Sequence, residues 1–139
     1  MQSEVTNELK GANSIDVCQE IVRVLLSKKG IDVRMYDVRE DSPITDFYVN
    51  VTGRATTQVA ALADEVVYQL GLKGVNALRV EGRQANSWLL VDFGDVILNV
   101  FDPASRKFYD LDRHFSAEKA VDISNLENQV DEMFIIGEK

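Results

Sequence analysis

The pattern of apolar and polar positions is clearest between Trp88 and Phe101, where Trp-Leu-Leu-Val-Asp-Phe and Val-Ile-Leu-Asn-Val-Phe flank Gly94-Asp95. Two apolar runs of strand length around Gly-Asp predict an antiparallel hairpin, because glycine takes the positive φ that a two-residue II′ turn requires at its first position. With Gly94 and Asp95 as the loop, Phe93 faces Val96, Val91 faces Leu98, Leu89 faces Val100 and Trp88 faces Phe101. Side chains alternate across a strand, so one face carries Leu89, Val91, Phe93, Val96, Leu98 and Val100, all apolar and suited to a core. The other face is mixed and holds Trp88, Leu90, Asp92, Ile97, Asn99 and Phe101. Such a face is either covered by a helix or used by a partner, and spacing alone leaves both open.

The flanking segments supply the rest of a sheet and its cover. Residues 1–12 read as a flexible lead-in, after which Ile15, Cys18, Val22, Leu25 and Leu26 recur at helical spacing up to the Lys28-Lys29-Gly30 stop. Val33 to Val38 reads as a strand, Pro43 marks a turn, and Phe47 to Thr52 reads as a second strand with Tyr48, Asn50 and Thr52 opposite Phe47, Val49 and Val51. Past Gly53 a helix is expected with Thr56 as its N-cap and Val59, Leu62, Ala63, Val66, Val67 and Leu70 as its apolar stripe. A short strand follows around Leu78 to Glu81. Asp102-Pro103 opens a turn or helix, and Lys107 to Phe115 reads as a short helix with an aromatic inner face. The fold class is therefore α/β, a mixed β-sheet of about five strands with an antiparallel hairpin and helices packed on it.

Composition narrows the class without changing it. The chain has 139 residues, 45% of them hydrophobic and 27% charged, which fits a single domain over residues 13–115 with a core of its own. No apolar run approaches the ~20 residues of a membrane span, and the acidic N-terminus resembles neither a secretory signal nor a transit peptide, so the expected compartment is the cytoplasm. The net charge of −8 is concentrated at the ends: residues 1–20 hold four acids and one base, and residues 120–139 hold five acids and one base. The central region is nearly neutral and lacks the Lys/Arg stripe that unpatterned nucleic-acid binding requires. Acidic ends suit a basic protein partner or simple solubility. In the tail, residues 116–139, Ile123, Leu126, Val130 and Phe134 have helical spacing, so it either docks as a short amphipathic helix or frays.

Chemical motifs are sparse. Asp92-Phe93-Gly94 spells a kinase metal-binding tripeptide, but the accompanying Gly-rich loop, strand lysine and catalytic-loop residues are missing, and the hairpin accounts for the glycine. Asp110 and Asp112 have the spacing of a carboxylate pair, yet on a helix residues two apart do not face each other, and they read as solvated acids. His114 is the single histidine and reads as a helix-end polar residue, while Cys18 falls on an apolar helical face and reads as core. These observations argue against an enzyme and call for no cofactor or metal. The alternative is a nucleotidyltransferase-like metal-dependent enzyme that would hold Mg²⁺ through Asp92, Asp95 or the Asp110 and Asp112 pair. Trp88, Leu90 and Phe101 are of another kind: Trp, Tyr and Arg dominate interface hot spots, and Trp88 sits here with two large apolar neighbours on its face.

Several segments in one order resemble the Iojap family, the ribosomal silencing factors. They are Thr45-Asp46-Phe47-Tyr48-Val49 leading to Gly53 and Gln58-Val59, then Ala63-Asp64-Glu65-Val66, Glu81-Gly82, Trp88 through Phe101, and Arg106-Lys-Phe-Tyr109-Asp110-Leu111. The resemblance spans residues 14–115. It implies a fold distantly related to nucleotidyltransferases without their catalytic groups. It also implies a translation repressor that binds a basic large-subunit ribosomal protein on the subunit-joining face and sterically excludes the small subunit when nutrients fall. On that reading Trp88, Leu90 and Phe101 are apolar anchors, Asp46, Asp92 and Asp95 meet Lys or Arg, and Asn99 and Tyr109 belong to the same partner-binding set. No direct sequence-specific nucleic-acid contact and no membrane are implied, and a homodimer formed through the mixed face is a competing use. The chain departs from the family pattern with Asn99 where His is common, Ala55 where a hydroxyl precedes the second helix, and Phe115 where Trp is usual.

Overall fold

The computed structural model describes residues 4–137. Its centre is a six-stranded sheet in the order β3-β4-β5-β2-β1-β6. The strands are β1 (Ile31–Asp37), β2 (Phe47–Thr52), β3 (Arg79–Glu81), β4 (Trp88–Asp92), β5 (Val96–Phe101) and β6 (Ala120–Val121). Only β2 and β5 run parallel, joined by a crossover through α2 (Thr56–Leu72); the remaining pairs are antiparallel. The hairpin register is the expected one, with Trp88 opposite Phe101, Leu89 opposite Val100 and Val91 opposite Leu98. Gly94 has φ +92° and its N–H is held by Asp92 Oδ1 at 2.8 Å, so the turn is fixed both by glycine's freedom and by an aspartate brace.

Alternation divides the sheet into two unlike faces. Met35, Phe47, Val49, Val51, Leu89, Val91, Phe93, Val96, Leu98 and Val100 point to the side covered by α1 (Ser14–Ser27) and α2, where they form one apolar core with Ile21, Leu25, Val59, Leu62 and Val66. Cys18 belongs to that core, and burial together with the charge of Asp37 pushes its thiol well above the ordinary range, so it is inert packing. The opposite face carries Tyr36, Tyr48, Asn50, Thr52, Ile97, Asn99, Phe101, Trp88 and Leu90. It is covered in part by α3 (Pro103–Tyr109) and a 3₁₀ turn over Leu111–His114.

Several expectations are corrected. Thr56 is not the N-cap of α2: Ala55 occupies that position without a side-chain cap, and the Arg54 N–H bonds instead to Gln58 Oε1 at 2.6 Å. Within the expected lead-in, residues 1–3 lie outside the described residues, but Thr6 and Asn7 donate to the Leu72 carbonyl and Leu9 to that of Lys73, so the segment is tied to the end of α2. The tail, expected either to dock as a short amphipathic helix or to fray, is helical as far as residue 137; residues 138–139 lie outside the described residues. It supplies β6 to the sheet edge and then α4 (Ser124–Gly137), which lies against α1 with Leu126 and Val130 buried. The short helix expected over 107–115 is broken: α3 starts at Pro103 under an Asp102 cap, and Asp110, at φ +47°, turns the chain into the 3₁₀ segment.

Candidate functional site

The second sheet face holds a row of buried polar groups that the sequence places in mid-strand. Asn50 and Asn99 are register partners across the parallel β2–β5 pair and are 0% and 1% exposed. A buried amide left without partners costs about 1–3 kcal/mol, so its hydrogen bonds decide whether the site is tolerable. Here each is met. Trp88 Nε1 donates to Asn99 Oδ1 at 2.9 Å, Asn99 Nδ2 donates to Asn50 Oδ1 at 3.2 Å, and Asn50 Nδ2 donates to Asp112 Oδ1 at 3.0 Å. Asp112 also accepts the Tyr36 hydroxyl at 2.7 Å and Arg106 Nε at 2.7 Å. Arg106 reaches on to Thr52 Oγ1 at 2.9 Å and to the Asp32 carbonyl at 3.1 Å, which fastens α3 across β2 and the start of β1.

Burial opposes ionisation of Asp112, but hydrogen bonds from Arg106, Asn50 and Tyr36 and the Arg106 charge outweigh it and hold the carboxyl below its ordinary range. Tyr36 responds in the opposite sense: burial and its bond to the Asp112 carboxylate push the phenol up to about 12. Asp112 is therefore a loaded structural carboxylate, which corrects its reading as a solvated helix acid. The left-handed turn at Asp110 re-aims it under the sheet, whereas Asp110 itself stays exposed. The signal for this network was the pair of mid-strand asparagines, since Asn is disfavoured in strands unless something satisfies it.

Above the relay the surface turns aromatic. Phe101 is fully buried, Trp88 lies on it with ring centroids 5.1 Å apart, Tyr109 lies on Trp88 at 4.7 Å, and Phe108 meets Tyr109 edge-on at 5.0 Å. This is a stair from the interior to solvent, ending at Tyr109 and Phe108, which are 47% and 80% exposed. Because the indole N–H is bonded inward, the outer side of Trp88 is left as apolar ring. Leu90, two residues along the same face of β4, is half-buried beside it.

The structure sorts the sequence-derived residues. Trp88, Leu90 and Tyr109 share the open part of the second face, and Phe108 joins them, a residue that periodicity alone did not single out. Phe101 and Asn99 are not surface anchors: both are buried, one as the lowest step of the stair and the other as the acceptor for Trp88. The acids lie elsewhere. Asp92 is half-buried, accepts the Gly94 N–H and pairs with Arg79 Nε at 3.2 Å. Asp95 is exposed at the turn, about six residues and ~20 Å along the hairpin from Trp88 at ~3.3 Å per residue. Asp46 Oδ2 accepts the Ser14 hydroxyl at 2.7 Å at the start of α1, away from the aromatic stair. Among the described residues no group of three or more His, Cys, Asp or Glu is arranged to hold a metal ion. Phe115 closes the far side of the cover, stacking on Tyr36 at 4.4 Å and tilting against Tyr48 at 5.2 Å, while His114 is exposed.

The sequence model of the family described as "Ribosomal silencing factor during starvation" matches residues 11–134. The chain belongs to this family. The match extends past residue 115 to residue 134, within α4. Ribosomal silencing factor RsfS of Haemophilus influenzae is 31% identical over 93 residues, which cover 67% of this chain and 91% of that protein. A mouse protein named "Mitochondrial assembly of ribosomal large subunit protein 1" is 26% identical over 96 residues, covering 67% of this chain and 42% of its own length. Among solved structures, a crystal structure of a Chromobacterium violaceum protein superposes with a TM-score of 0.72 at 30% identity, covering 74% of this chain and 86% of that one. These likenesses give a mixed α/β fold shared with ribosomal silencing factors and a family whose naming is regulatory rather than enzymatic.

Proposed function

We propose that the chain is a cytoplasmic translation repressor that binds the large ribosomal subunit through a basic ribosomal protein and, seated on the subunit-joining face, keeps the small subunit away. The observation that carries this reading is the aromatic stair. A half-buried Trp88 with its N–H bonded inward, flanked by Leu90, Tyr109 and Phe108, offers rigid apolar area of the kind that dominates interface energetics. Asp95, exposed at the turn end of the hairpin, supplies an acid toward Lys or Arg of the partner; Asp92 would have to exchange its Arg79 pairing to join it, and Asp46 lies behind them, bonded to Ser14. Family membership supports the ribosomal target, and the large-subunit wording in the mouse relative's name supports the choice of subunit. A standard interface of about 800 Å² per partner fits one sheet face and its rim. No catalytic step is needed.

The test is gradient sedimentation with isolated large subunits, followed by a second run with small subunits added. Wild type is expected to travel with large subunits and to reduce their joining to small ones. Trp88→Ala is expected to stay folded and to bind at least about tenfold more weakly, as for a hot-spot truncation. Equal co-sedimentation of Trp88→Ala and wild type would overturn the anchor assignment. Light scattering on both proteins addresses the competing use: a wild-type dimer that becomes a monomer in Trp88→Ala, with ribosome binding intact, would assign the patch to a second copy of the chain.

A further inference from the structure

The polar groups under Trp88 form a chain with a single direction. An indole N–H can only donate and an ionised carboxylate can only accept, so the two ends fix the orientation of both amides between them. Asn99 must turn its carbonyl to Trp88 and its NH₂ to Asn50, and Asn50 must turn its NH₂ to Asp112, as the bonds at 2.9, 3.2 and 3.0 Å have it. The other oxygen of Asp112 accepts Arg106 Nε at 2.7 Å. Arg106 sits three residues before Tyr109 on α3, the residue whose ring packs on Trp88. The two halves of the aromatic patch thus come from different elements, Trp88 from β4 and Tyr109 from α3. Both are referred to one carboxylate.

We propose that Asp112, acting through Asn50 and Asn99 on one side and Arg106 on the other, is a positioning residue for ribosome docking: it fixes the rotamer of Trp88 and the seat of Tyr109 without touching the partner. The proposal rests on the docking role given above to Trp88 and extends it to residues beneath the surface. Burial makes such a relay all-or-none, because every link removed strands a polar group that water cannot reach. Preorganisation of this kind lowers the ordering cost that association would otherwise carry.

Trp88 is the single tryptophan, so its emission reports on this one site. In the full chain, Asp112→Ala is expected to shift Trp88 emission to the red and to weaken binding to isolated large subunits by about tenfold, equivalent to ~1.4 kcal/mol. Asn99→Leu cuts the relay next to the indole while leaving Asp112 and Arg106 in place, and is expected to give the same emission shift should Asp112→Ala fail to fold. Tyr36→Phe removes the other donor to Asp112 Oδ1 without entering the relay, and is expected to leave emission and affinity within about twofold of wild type. The proposal is overturned if folded Asp112→Ala or Asn99→Leu keeps wild-type emission and affinity. It is equally overturned if Tyr36→Phe moves both signals as far as they do, since general loosening would then suffice. Failure of the docking role is separately visible: Trp88→Ala would bind like wild type whatever the emission of the relay variants.

Discussion

Leu98 and Asn99 are neighbours on β5, and both are almost wholly buried, yet they answer to different physics. Leu98 faces α1 and α2 among side chains that are all apolar, where burial is non-directional and each contact can shift a little without penalty. Asn99 faces the 103–115 segment and makes two hydrogen bonds whose donors and acceptors cannot be exchanged. One face holds the molecule together. The other sets the angle of a ring at its surface. A sheet can divide its labour this way because alternation sends successive residues of one strand to opposite sides.

The comparison is broken most severely from the apolar side. Leu98→Ala removes a fully buried side chain and is expected to cost about 2–5 kcal/mol, read as a fall in Cm at unchanged m in urea unfolding. Its folded fraction is expected to keep wild-type Trp88 emission. A shift there before unfolding would mean that the two faces are not separable.

A smaller effect comes from acid. Asp112 has its carboxyl held below the ordinary range, so its ionisation contributes stability above the usual carboxylate value of ~4, and that contribution is lost as pH falls through the lowered folded value. The stability gap between wild type and Asp112→Ala is therefore expected to narrow below about pH 4 and to be flat from there to neutrality. Thermal melts across that range decide it, and a gap that widens in acid would contradict the assigned charge state. On the alkaline side Tyr36, pushed up to about 12, stabilises the fold below the ordinary phenol value of ~10, and this is lost as pH rises from there toward the folded value.

The smallest effect belongs to a charge pair outside both faces. Arg83 and Asp64 meet at 2.7 Å with both side chains largely exposed, and Arg83→Ala is expected to change stability by less than about 0.5 kcal/mol. Thermal melts at low and high salt check it. A larger change would mean that a surface contact rivals the relay.

The features legible in the sequence were those written in short-range pattern. Gly94-Asp95 and the alternation around it gave the hairpin and its register, and the Phe47–Thr52 strand has the bounds that its own alternation predicted. The family was legible in the order of its segments, although the span assigned to it stopped short of α4. What escaped was long-range. Asp112 lies 62 residues from Asn50 and 76 from Tyr36, and only the left-handed residue Asp110 aims it inward, so no periodicity could distinguish it from a surface acid. Phe101 looked like an anchor because its face is mixed. In the fold Trp88 lies over it, and what was read as one surface is two layers.

The position of Asp112 also carries a consequence for the timing of assembly. The β4–β5 hairpin closes through a two-residue turn and can form early, on the microsecond scale of isolated hairpins. The parallel β2–β5 pairing needs a long loop to close, as does the bond from Asn50 to Asp112, 62 residues away. Both long-range contacts are therefore expected to form later than the hairpin, which places the lock beneath the indole among the later contacts expected in folding.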